Sequence, residues 1–402
     1  MRKIQLFLQR WVLVLLLILM VPVYWNVAVL NERRVDYVNN GFVTFWLGGR
    51  LAATGGHPYD MAEYVGGHHA HGATWIPNQI FPYPLPLALL LAPLGLLPID
   101  RAYLAWDFVA QMLIGLSIVW LATHWEGTNR RLYALVLLIA ILLNGNIYLG
   151  LLTGTIAALL LSFLVLSLHF FESGRHFYGG LALALLALKP PLLTVVTLIG
   201  LWLLLRRAWR GLAGLAAGAL ALLLIGLWQD PLWVGKFLGA GENLLSMRIG
   251  NQPTLLSYTR LACGGQMTCA LGLYAFLALA LLLIFTSLLW KHLPRLNALA
   301  AFSLAIPLGV LLPPYLWSYD YALLVIPICY CAFELVRRRS SYLHATLFLL
   351  LLDGLAMIGL TLFWLNPESA ALTIQRDMWS IWTALYVLGV TWRLALHPDE
   401  KN

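Results

Sequence analysis

Apolar runs close to twenty residues long recur along the chain, separated by short polar or basic stretches. Each is built of Leu, Ala, Gly and Trp rather than of alternating apolar and polar residues, so helices are predicted and a barrel is not. In lipid a helix satisfies all its own backbone groups, which is why such runs can cross a membrane singly. Twelve spans are expected, at 12–30, 103–123, 131–148, 150–171, 177–189, 191–206, 211–228, 269–290, 296–313, 320–336, 341–364 and 378–396. The predicted fold is all-α and polytopic, one membrane domain over 1–402 with two large loops, 31–102 and 229–268. No internal repeat or low-complexity linker interrupts it.

Two features of the pattern need a decision. Spans five and six are short and meet at Lys189-Pro190-Pro191, where proline stops one helix and starts the next. Phe81–Pro98 (FPYPLPLALLLAPLGLLP) is apolar but short and holds five prolines. If it lies along the outer surface and the N-terminus is cytoplasmic, the clusters Arg206–Arg210, Lys291–Arg295 and Arg337–Arg339 all fall inside. If it spans, all three fall outside, against the positive-inside rule. The non-spanning reading puts both termini in the cytoplasm. It gathers the unusual polar residues on the outer face: 31–102, 144–153, Lys189, 229–268 and the turn 313–320.

Composition agrees with the pattern. Of 402 residues 61% are hydrophobic and 10% are Asp, Glu, Lys or Arg, against about a quarter charged in soluble proteins. The net charge of +8 sits in short clusters between apolar runs, so it orients the chain in a membrane and argues against a nucleic-acid partner. Met1–Arg10 is basic and precedes an apolar run. No small-residue cleavage site follows Met20, so a retained first helix is expected.

The candidate chemistry lies in the outer segments. Asp36 suits either an N-cap for the helix that follows it or a carboxylate facing a cavity. Lys189 is either a snorkelling residue or a cation for an anionic ligand. Asp320, between Tyr319 and Tyr321 and near Trp317, suits a second acid–base group, a hydroxyl acceptor or a cap. The aromatic residues there suit an interfacial belt or a stacking platform. His57, His68, His69 and His71 fit no structural zinc spacing, and no metal is predicted. Cys263 and Cys269 flank a Gly-Gly turn, where a disulfide is plausible in an oxidising compartment. Cys329 and Cys331 read as packing residues.

The chain resembles glycosyltransferase family 87 of the GT-C superfamily. The resemblance rests on Asp36, Gly56-His57-Pro58-Tyr59-Asp60, Tyr83-Pro84 and Pro93–Pro98 in the first loop. It continues in Ala187-Leu188-Lys189-Pro190, in Gly250-Asn251-Gln252-Pro253-Thr254 with Arg260, and in Pro313–Asp320. Gly154-Thr155 stands where many members have Gly-Gln, and Tyr319-Asp320 where some mannosyltransferase members have His.

What the resemblance implies is a GT-C-like fold with amphipathic juxtamembrane helices in the first outer loop. It also implies an inverting, cofactor-independent hexosyltransferase of the cell membrane. The donor would be a polyprenyl-phosphate sugar, most often mannose, and the acceptor a glycan or glycolipid on the extracytoplasmic face. Asp36 and Asp320 would be catalytic, and Lys189, Arg248 and Arg260 would hold the donor phosphate. Asn251, Gln252, Tyr59, Trp317 and Tyr319 would contact sugar or acceptor. The competing readings are a pentosyl (arabinofuranosyl) transferase of the same superfamily, a lipid-linked-sugar transporter or flippase, and a membrane scaffold. A transporter would be expected to show an inverted repeat and polar groups at mid-membrane in several helices, and neither is visible.

Overall fold

The computed structural model describes residues 38–74, 76, 78–124, 137, 145–239, 252–339, 344–345, 347–349, 351–352 and 370–396. Among these the chain is helical and has no strand. The first and third predicted spans, apart from a few positions of the latter, and most of the eleventh lie outside the described residues, as do Asp36, Arg248 and Asn251.

The first described elements are α1 (Gly41–Thr54), α2 (Met61–Ala70) and α3 (Leu85–Gly95). Asn40 caps α1, its Oδ1 accepting the Phe42 amide at 2.8 Å, and Gly55 closes it in the left-handed conformation (φ 81°). The cap therefore falls to Asn40, four residues beyond the Asp36 position considered for it. Helix α1 was expected to be amphipathic, yet Phe42 through Gly49 are all buried. The reason is α3, whose apolar residues cover the side that a surface helix would leave wet. The two backbones touch at glycine: a Cβ on Gly49 would strike the Leu91 carbonyl, and one on Gly95 would strike the Arg50 backbone. With 11 residues, α3 is about 16 Å long, half of a hydrocarbon core.

Two family-motif fragments meet here. Asp60 caps α2 by accepting the Glu63 amide at 2.9 Å. Beside it, Tyr59 donates its hydroxyl to the Tyr83 carbonyl at 2.7 Å, and the Phe81 amide bonds the Pro58 carbonyl.

Helix α4 (Ile99–Ala122) follows, then α5 (Gly145–Leu152) and α6 (Ala157–Glu172). The sequence pattern suggested a turn at 144–153 and one continuous helix over 150–171. Instead the helix is broken at 153–156, where Gly154 adopts φ 61° and ends α5 in the manner of a left-handed C-terminal glycine. The broken backbone is held from α4: Trp106 Nε1 donates to the Gly154 carbonyl at 3.0 Å, and the Tyr103 hydroxyl to that of Leu152 at 3.1 Å.

Helix α7 (His176–Ala184) runs into a 3-10 turn, Leu185–Leu188. After Lys189 a second turn, Pro190–Leu192, leads into α8 (Leu193–Leu205) and then α9 (Trp209–Gln229). Small residues let α7 and α9 pack closely, because a Cβ at Gly180 would strike the Gly211 carbonyl and one at Gly214 that of Phe177. The later helices are α10 (Leu255–Ala262), α11 (Met267–His292), α12 (Ala298–Leu311), α13 (Val325–Arg339) and α14 (Ala370–Leu396). Every residue of α12 is buried, as expected of a helix apolar on all sides, and it forms the centre of the bundle.

Among the described residues four helical segments are long and apolar enough to cross a membrane: Ile99–Ala122, Trp209–Gln229, Met267–His292 and Ser318–Arg337. Helix α9 carries exposed Trp209 and Trp228 near its ends. They lie about 28 Å apart along a helix, the thickness of a hydrocarbon core with an aromatic at each interface. Helix α11 buries only Ala270, Phe285 and Leu289 and leaves Phe276, Leu279 and Leu283 exposed, a surface suited to lipid.

Candidate active site

Proline shapes the first half of the site. A residue before proline is pushed out of the helical region, and Lys189, preceding Pro190, is extended at φ −126°, ψ 95°. The helix breaks there and the lysine side chain leaves its own helix for a neighbour.

That neighbour is the 3-10 turn Ser318–Leu324. Lys189 Nζ donates to Asp320 Oδ1 at 2.5 Å, with side-chain exposures of 1% and 0%. Either charge alone would be prohibitive in this interior, and paired they make a neutral unit. The second carboxylate oxygen, Oδ2, accepts the Trp317 amide at 3.2 Å. The lysine also lies over the Tyr319 ring, 4.8 Å from its centroid. Tyr319 in turn stacks on Trp317, with centroids 5.9 Å apart and planes 13° apart.

The segment 309–321 is tied down by four hydrogen bonds to three other segments. Pro313 has no N–H to give the Gly309 carbonyl four residues earlier, and Thr194 Oγ1, at the start of α8, donates to that carbonyl instead at 2.5 Å. Tyr274 of α11 donates to Leu312 O at 2.5 Å, and Thr254 to Pro314 O at 3.4 Å. The Tyr321 hydroxyl donates to Pro253 O. Gln252 is thereby held beside the turn. Its amide donates to Ser257 Oγ, while its own buried Oε1 has no partner among the described residues. An orphaned buried acceptor is costly. On the other side, Gly150 of α5 meets the Tyr319 side chain.

The structure thus brings Lys189, Asp320, Trp317 and Tyr319 together and sets Gln252 against the same turn. Arg260 lies two turns further along, on α10, which ends at the bonded pair Cys263–Cys269. Tyr59 stands apart. Its hydroxyl is engaged by Tyr83, and its ring packs near Phe81 and Phe237.

The histidine loop divides. His68 is buried against Tyr64 with both ring nitrogens unpartnered among the described residues. Burial, then the neighbouring His69 and His71, lowers its pKa to about 4. His71 meets the Trp46 ring edge-on, and His69 Nδ1 reaches Ala73 O. Among the described residues no three His, Cys, Asp or Glu side chains stand close enough to share an ion.

The sequence reading passed over one buried carboxylate. Asp107 lies inside α4, buried, accepting from Gln111 Nε2 at 2.8 Å. The available signal was an ionisable residue within an apolar span.

A helical membrane bundle with polar and aromatic groups converging where its helices break is built as a membrane enzyme. The chain belongs to glycosyltransferase family 87, whose model matches residues 81–314, more than half of its length, and it is a glycosyltransferase. The matched stretch contains Lys189, Arg248, Asn251, Gln252 and Arg260. It begins after Asp36 and Tyr59 and ends before Trp317, Tyr319 and Asp320. No curated protein matches the chain.

Proposed function

We propose that this glycosyltransferase transfers a hexose, mannose by family resemblance, from a polyprenyl-phosphate donor to a glycan or glycolipid at the extracytoplasmic face of the cell membrane. The chain crosses the membrane about twelve times with both termini inside, and the first loop and the turn 313–320 lie outside. The acceptor hydroxyl oxygen attacks the anomeric carbon from the face opposite the phosphate. As that bond forms, the carbon–oxygen bond to phosphate breaks and the polyprenyl phosphate leaves with the electron pair. The acceptor proton passes to the Asp36 carboxylate, and the configuration inverts. An ordinary aspartate is ionised at neutral pH and can serve as this acceptor. Sugar hydroxyls are met by Asn251 and Gln252 and a sugar face by Trp317 and Tyr319. Arg248 and Arg260 face the phosphate, and no cofactor or metal is needed.

The observation carrying this reading is the convergence of Lys189, Asp320, Tyr319 and Gln252, from three distant segments, on one turn. The position of α1 adds support. Its first residue, Gly41, abuts the Thr153 carbonyl beyond the end of α5, and α5 also meets Tyr319.

The test is to incubate the purified protein with polyprenyl-phosphate mannose and, separately, polyprenyl-phosphate arabinose. Mannose transfer that Asp36→Ala abolishes is expected. Transfer retained in Asp36→Ala overturns the base assignment, and consumption of the arabinose donor alone makes the protein a pentosyltransferase.

A further inference from the structure

We infer that Lys189 is a positioning residue, the cationic half of a neutral strut with Asp320 that orients the Trp317–Tyr319 platform, and that the donor phosphate is held by other cations. This rests on the transfer reaction proposed above and changes which residues perform it.

The first argument is electrostatic. A cation that neutralises a leaving phosphate must present uncompensated charge to it. Lys189 instead sits 2.5 Å from a carboxylate with both groups sealed from solvent. The pair is close to neutral from outside, and a phosphate approaching it would meet Asp320 as well as Lys189. One face of the lysine is further occupied by the Tyr319 ring.

The second argument is architectural. Two prolines, Pro313 and Pro314, deprive the end of α12 of backbone donors. A side chain from another element replaces the lost donor at Gly309, and others bond the carbonyls of Leu312 and Pro314. Asp320 adds a tie from within the turn. One oxygen holds the Trp317 amide and the other is gripped by Lys189, so the lysine fixes the carboxylate that fixes the backbone between the two aromatic rings. Lys189 is suited to this because Pro190 forces the break that aims it.

The third argument is the fate of the phosphate. With Lys189 engaged, the phosphate must be met by another cation. Arg260 is one, on α10, whose N-terminal flank carries Thr254 and Gln252 against the same turn.

The experiment is a double-mutant cycle on the full-length protein in detergent or nanodiscs, using Lys189→Met, Asp320→Asn and both together. Asparagine keeps an oxygen for the Trp317 amide and removes the charge. Each single change strands one buried charge, whereas the double change removes both. On the strut reading each single variant melts lower and loses at least about tenfold in kcat, with donor KM changed less than about twofold. The double variant then recovers most of both losses. The inference is overturned if Lys189→Met melts normally and raises donor KM about tenfold or more without rescue by Asp320→Asn. Should Lys189→Met be too unstable to purify, Asp320→Asn decides alone. A fall in kcat at constant donor KM supports the strut, and a lowered donor KM, from a lysine released to the phosphate, overturns it. If the wild type transfers no sugar at all, the transfer reaction fails instead, and the melting cycle still shows whether the two residues are coupled.

Discussion

Asn40 accepts the Phe42 amide through its side chain and so occupies the N-cap of α1, four residues after Asp36. On the mechanism proposed above, the two residues divide a structural task from a chemical one. Asn40→Ala should lower stability by about 1 kcal/mol, the usual value of a cap. Asp36→Asn should leave the melting temperature unchanged and remove transfer. Thermal melting beside a transfer assay checks both, and a large stability loss in Asp36→Asn would return the carboxylate to a structural role.

His124, just past the end of α4, meets Glu172 at the end of α6 at 2.6 Å. The hydrogen bond to Glu172 raises the His124 pKa, against an opposing effect of burial. A raised value means the folded state holds the proton more tightly than the unfolded one. Its contribution is thus complete below the unfolded value of about 6.5 and fades as pH rises through the folded value. The melting gap between wild type and His124→Gln should be widest near pH 6 and narrow toward pH 9. A gap that widens with pH would contradict this.

His68 should behave with the opposite sign. Burial drops its pKa to about 4, so between about 4 and 6.5 the unfolded chain binds the extra proton. Stability should fall as pH falls through that interval and be flat above it. Replacing His68 with Phe should remove this part of the acid sensitivity in melting curves.

The α7–α9 contact tolerates no side chain at Gly180, where a Cβ would meet the Gly211 carbonyl. Gly180→Val should destabilise the protein by about 1–3 kcal/mol, the usual cost of overpacking. Gly115→Ala, in open space within α4, should be neutral or stabilising. Melting of the two variants in one detergent makes the comparison.

Local chemistry made part of this architecture readable in advance. The prolines marked Phe81–Pro98 as a break in the pattern, the placing of the basic clusters argued that it does not span, and α3 within it is a helix of 11 residues. Lys189-Pro190-Pro191 announced the break between α7 and α8. What escaped the sequence depended on distant partners. Lys189 and Asp320 are 131 positions apart, and each had a local reading as snorkelling cation or helix cap. Asp36 was read as a possible cap of the helix that follows it, and the start of α1 at Gly41 gives that place to Asn40. The all-round burial of α1 was hidden because the residues covering it come from α3. The break at 153–156 turned on Gly154, set between Thr153 and Thr155 inside a mostly apolar run.

Thr194 gives Gly309 the hydrogen bond that Pro313 withholds. Those two positions form a lock that descent should change as a unit. A relative with an ordinary residue at 313 regains an amide for that carbonyl and is free to lose the hydroxyl at 194. A relative that keeps the proline but loses the hydroxyl inherits an unanswered acceptor at the end of α12. Co-variation of 194 with 313 among relatives would then be the historical trace of how this turn came to be aimed.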